Sequence, residues 1–160
     1  MKFILSIIIF LLPFYLIAQV NDESKRLKVL QKNIKDSMYI FGKWSENGGT
    51  ETHLKYLGLV KTKKGKVYKI LTSSCFWGLS HHATSRILIY NSKNQYLGEY
   101  SVGFPSDLPD KLKNGKLIFY NIGNKNCDEK LVTVLNLKNG LPKKFFLKCK
   151  GKYGDIYSFN

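Results

Sequence analysis

The chain reads as a mainly β protein, an antiparallel sandwich or partly closed barrel of about seven or eight strands with one amino-terminal helix. Three observations predict this. From residue 56 onward, turn signals recur at intervals of roughly 8–14 residues. Between them, side chains alternate between apolar and polar, the period of a half-buried strand. A period of three to four residues occurs over one segment, residues 21–38.

The amino-terminal end reads as a targeting segment rather than as part of the fold. Met1 and Lys2 give a positive start, and residues 3–17 are apolar except for Ser6 and Pro13. Ala18 closes the run before polar chain begins at Gln19, Asn21 and Asp22. A basic start, a short apolar stretch and a small residue at its end describe a secretory signal peptide. A membrane span needs about 20 apolar residues, more than this run provides. The expected organisation is therefore a signal peptide over 1–18 and a single mainly β domain over 19–160, exported to the periplasm or beyond, with no membrane span after cleavage. Leu16 stands where a cleavage site favours a small residue, so the cleavage point is left open. No cysteine follows the run to carry a lipid.

In the helix, Leu27, Leu30, Ile34 and Met38 form one apolar stripe, and Asn21 or Asp22 supplies the cap. Lysines and Arg26 fill the other faces, the pattern of a helix docked on a β domain. Residues 39–53, with Gly42, Trp44 and the Gly48–Gly49 pair, read as irregular. Strands are expected at 56–61, 67–75, 86–90, 96–102, 116–120, 131–137, 144–149 and 155–159. Turns fall at Lys63–Gly65, at 91–94, at Asn114–Gly115 and at Asn139–Gly140. Pro142 lengthens the last of these beyond two residues, since it cannot donate to a ladder. In residues 144–152, Phe145, Leu147 and Cys149 share one face and Lys144, Lys148, Lys150 and Lys152 the other. In residues 96–102, Tyr96, Tyr100 and Val102 oppose Glu99 and Ser101.

Three cysteines in an oxidising compartment predict one bridge and one free thiol. Cys127 and Cys149 flank a hairpin, which favours their pairing and leaves Cys75 over.

The net charge is +15, yet all but two of the 26 basic residues are lysines. Such charge draws anionic partners. Specific phosphate or base recognition favours the planar, bidentate guanidinium, which only Arg26 and Arg86 supply. No specific nucleic-acid binding is expected. Lysines on strands and turns also serve simply to solvate edges.

Chemistry-bearing residues concentrate at 73–86, which carries Cys75, Trp77, His81, His82 and Arg86 between two strands. Loops at the end of a β scaffold are common binding surfaces. A Cys75 nucleophile with a His81 or His82 base would need an oriented imidazole and an oxyanion pocket, which spacing alone does not supply. The plainer role is packing for Cys75 and Trp77 and turn formation for the histidines. Metal-ligand spacings such as Cys-x-x-Cys or His-x-x-x-His are absent from the sequence, so no metal or other cofactor is expected. A second grouping, Trp44, Glu46, Glu51 and His53, has the ingredients of a sugar-binding or hydrolytic groove, or of a packed loop. The expectation is a non-enzymatic binding or interaction module whose partner is an acidic protein or anionic envelope polymer. The alternative is a small envelope enzyme built on the Cys75/His82 region. A further option is an immunity-type protein that docks a single partner.

Overall fold

The computed structural model describes residues 22–160, so the leader expected at 1–18 lies outside the described residues. The described chain runs α1 (Glu23–Lys32), β1 (Met38–Gly42), β2 (Glu51–Lys61), β3 (Val67–Trp77), β4 (His82–Tyr90) and β5 (Tyr96–Val102). A single 3₁₀ turn (Pro105–Asp107) leads to β6 (Lys111–Lys113), β7 (Lys116–Tyr120), β8 (Val132–Asn136), β9 (Lys144–Lys150) and β10 (Tyr153–Ser158).

The mainly β, antiparallel fold class holds, with ten strands among the described residues. Strands β1 to β5 form one meander in chain order, β6 to β8 a three-stranded sheet and β9–β10 a hairpin. The sheets do not close into a barrel. The β1–β5 sheet is the middle layer. On one face α1 lays Val29 and Leu30 against Leu54, Tyr56, Leu71, Leu88 and Tyr90. On the other, Ile70, Ile87, Ile89 and Tyr100 meet Leu112, Leu117 and Phe119 from β6–β7 and Phe145 and Leu147 from β9. Each Leu or Ile buried this way contributes about 1.5–3 kcal/mol relative to exposure.

Bulges shift the phase of alternation along a strand. The β2–β3 register slips between Tyr56 and Gly58, so Leu57 and Val60, three residues apart, both enter the larger core, whereas Leu54 and Tyr56 pack under the helix. A second slip, between Ile89 and Tyr90, corrects the expected pattern in β5. Tyr96 pairs with Tyr90 and donates to Glu99 Oε2 at 2.9 Å, whereas Tyr100 and Val102 are buried on the opposite side. Tyr96 therefore sits with Glu99, because the extra residue flips the face.

Three other expectations need correction. The helix ends at Lys32, where Asn33 turns left-handed (φ 53°) and its N–H caps Val29 O. Ile34 and Met38 consequently leave the stripe and are 53% and 54% exposed. Residues 39–53 are not irregular throughout, since β1 pairs with the start of β2 from Met38↔Lys55 to Gly42↔Glu51. The lysine row of β9 ends at Lys150, with Lys152 in the following turn, and Phe146 shares its outward face.

The turns fall where expected. Asn114 and Gly115 both have positive φ (52° and 73°), the geometry of a two-residue hairpin, and join β7 to the three-residue β6. Cys127 and Cys149 form the disulfide, with Cα atoms 4.5 Å apart, and Cys75 is free. The bridge fastens the 121–131 loop to the end of β9, helped by Asp128 N–H donating to Cys149 O at 2.7 Å.

Candidate functional site

The two sequence groupings meet at one end of the five-stranded sheet. Trp44 lies in the β1–β2 connection and His81 in the β3–β4 turn, where it adopts a left-handed φ of 52°. Their ring centroids are 4.1 Å apart. The Trp44 indole Nε1–H donates to Gly78 O at 2.7 Å, locking the two loops together. Phe76 stacks on His81 at 4.8 Å, and His53 meets the edge of Phe76 at 4.9 Å.

Glu51 completes this corner. Its Oε1 lies 2.5 Å from His53 Nε2 and its Oε2 accepts from the Trp44 amide at 3.3 Å. These two hydrogen bonds, that from His53 first, hold the carboxyl below its ordinary range. Glu51 and His53 alternate on one face of β2, so both side chains project to the same side. Directly across from His53 stands Ser74, buried, with its Oγ 3.4 Å from Ser85 Oγ. Its hydroxyl is thus engaged with a second serine.

Strand register places Cys75 on the other face. It pairs with Thr52 and Thr84, whereas Phe76, His53 and Ser74 take the intervening positions. His81 contacts Phe76, so Cys75 and His81 lie on opposite sides of the sheet. His82 does share the Cys75 face, pairing with Trp77 and lying 5.2 Å from its ring. The Trp77 Nε1–H donates to Thr84 Oγ1 at 3.2 Å, directly opposite Cys75. The adjacent histidines therefore do separate jobs, one in each aromatic contact.

Arg86 belongs to a third grouping. Its Nε lies 3.3 Å from Glu99 Oε1, too oblique for a directed hydrogen bond. Glu99 also accepts from Tyr96 and Ser101. Arg26, from α1, reaches the same neighbourhood and acts on both Tyr90 and Tyr96. Arg26 is thus turned toward helix–sheet packing, whereas Arg86 lies beside Glu99 with its side chain 37% exposed.

Lys144, Lys148, Lys150 and Lys152 are all exposed. Sequence reading did not single out Phe76 or Phe146, although alternation alone places Phe146 among the β9 lysines. Among the described residues, no three of His, Cys, Asp and Glu converge as metal ligands, and Cys127 and Cys149 are committed to their bridge. No family model, curated protein or solved structure matches the chain.

Proposed function

We propose that the chain is an exported, non-enzymatic binding module that holds an anionic partner, an acidic protein or an anionic envelope polymer, through its lysines. The observation that carries this reading is the run of lysines on β9: Lys144, Lys148 and Lys150 all face solvent, while Arg26 acts on Tyr90 and Arg86 pairs with Glu99. Lysine on a strand is a hydrated point charge suited to diffuse attraction rather than to bidentate recognition. Export is supported by the Cys127–Cys149 bridge, which fits an oxidising compartment, together with the basic, apolar start of the sequence. The non-enzymatic part is supported by the engagement of Trp44, Glu51 and His81 with one another's loops and by the Trp77 ring, which His82 contacts on the face it shares with Cys75.

Mass spectrometry of the untagged protein, purified from its own host without reductant, tests this reading. The denatured mass is expected to show loss of the leader near Ala18 and the hydrogen deficit of one disulfide. The native spectrum is expected to show an anionic companion that added salt removes. A retained leader or a tightly held cofactor would contradict the proposal.

A further inference from the structure

The strands of the second layer carry two kinds of residue on their outer side. Phe145, Leu147, Leu117 and Phe119 point into the core, so the residues alternating with them point away from it. On that outer side, Phe146 stands directly opposite Ile156, and they are 42% and 66% exposed. Val134 on β8 is 51% exposed. Lys144 and Lys148 flank Phe146 at alternate positions, and Lys116 begins β7. Across all five strands from β6 to β10 the one carboxylate is Asp155, which takes the register of Leu147 rather than that of Phe146.

We infer that this outer face docks on an anionic lipid bilayer surface, a proposal that rests on the anionic-partner reading above and moves its target from a soluble or polymeric polyanion to a lipid surface. Charge complementarity selects the occupant. The lysines match lipid phosphates, and each lysine near an anionic leaflet strengthens partitioning about 5-fold. A hydrophilic polyanion would satisfy the lysines yet leave Phe146, Ile156 and Val134 in water. A bilayer interface satisfies both, since apolar side chains settle about 5–10 Å into the headgroup boundary while lysine stems extend their charge to the phosphates. Exposed apolar clusters rimmed by polar residues mark such interaction surfaces.

The test is co-sedimentation with vesicles of phosphatidylcholine alone or with about one-third phosphatidylglycerol. The protein is taken from its own host, so that its amino terminus is the one the cell leaves. Soluble polyglutamate provides a parallel probe. The expected result is binding to the anionic vesicles and not to the neutral ones. A Phe146→Ser/Ile156→Ser variant is expected to bind these vesicles on the order of 10-fold more weakly while keeping its polyglutamate affinity. Should that variant lose the wild-type circular dichroism spectrum, Ile156→Ser alone carries the comparison from the more open position. Unchanged vesicle binding by the variant would overturn the proposal. Binding to polyglutamate without binding to anionic vesicles would also overturn it, leaving an acidic protein as the target and the anionic-partner reading intact. Failure to bind either probe would remove both.

Discussion

Trp44 and His81 come from different loops and meet ring to ring, 4.1 Å between centroids, at the open end of the five-stranded sheet. The contact binds the β1–β2 connection to the β3–β4 turn, and the Trp44 hydrogen bond to Gly78 O repeats that link through the backbone. One face of the Trp44 ring is therefore covered by His81 rather than held open for a ligand. The corner acts as a clasp.

Breaking the clasp is expected to destabilise the domain. Trp44→Ala removes the ring contact and leaves Gly78 O without its indole partner, at a cost of about 2–4 kcal/mol. At His81 the left-handed backbone (φ 52°) gives a sharper comparison. His81→Gly relieves backbone strain that His81→Ala retains, so the glycine variant is expected to be about 1 kcal/mol the more stable of the two. Urea unfolding of the three variants measures both effects. An alanine variant as stable as the glycine one would contradict the clasp geometry.

Asp107 is expected to be the most sensitive carboxylate in the chain. It is buried, and its Oδ2 accepts from Tyr157 Oη at 2.9 Å and from the Phe104 amide at 3.0 Å. Asp107→Ala strands both donors and is expected to cost about 2–3 kcal/mol, whereas Tyr157→Phe is expected to cost about 1 kcal/mol. Thermal denaturation of the two variants checks the order, and the reverse order would show that the hydroxyl rather than the carboxylate organises the loop.

Stability is expected to fall at both ends of the pH scale, for opposite reasons. Burial pushes the Tyr96 hydroxyl up to about 12, and burial also raises Tyr100 and Tyr157. A raised folded-state pKa gives stability that is complete below the unfolded value near 10 and is lost as pH climbs from there toward about 12. Glu51 is lowered by its His53 and Trp44 hydrogen bonds, so its contribution is present above about 4.5 and is lost as pH falls below that value. Tyrosinate absorbance and circular dichroism, followed together, report the alkaline limb. Glu51→Gln is expected to blunt the acid limb. Ionisation of Tyr96, Tyr100 and Tyr157 near pH 10 in a protein that stays folded would contradict the alkaline assignment.

The meander and hairpin framework was legible because its signals are local. Asn114–Gly115 and Asn139–Gly140 mark turns by backbone chemistry, and Phe145 and Leu147 declare a buried face by alternation. Two short elements escaped. Strand β6 has three residues, and β1 is bounded by Gly42 and the Gly48–Gly49 pair, which read as loop. The bulge at Ile89/Tyr90 had one trace, Gly98 inside the strand pattern, and it reversed the face of Tyr96. At the site, the residue types were legible in two separate stretches, but their union was not, because Trp44 meets His81 only once β2 and β3 have paired. Phe146 was hidden for a simpler reason: its neighbour Phe145 fills the core, and a lysine-rich strand draws attention to charge.

Binding to polyglutamate, measured for two charge-matched variants, tests the anionic-partner claim most directly. One carries Lys144→Gln, Lys148→Gln, Lys150→Gln and Lys152→Gln, around the outer hairpin. The other carries Lys63→Gln, Lys64→Gln, Lys66→Gln and Lys93→Gln, all exposed positions in turns of the five-stranded sheet. The account predicts that wild-type affinity weakens steeply with salt, that the hairpin variant loses binding, and that the turn variant keeps most of it. Equal losses in the two variants, or an affinity indifferent to salt, would contradict it.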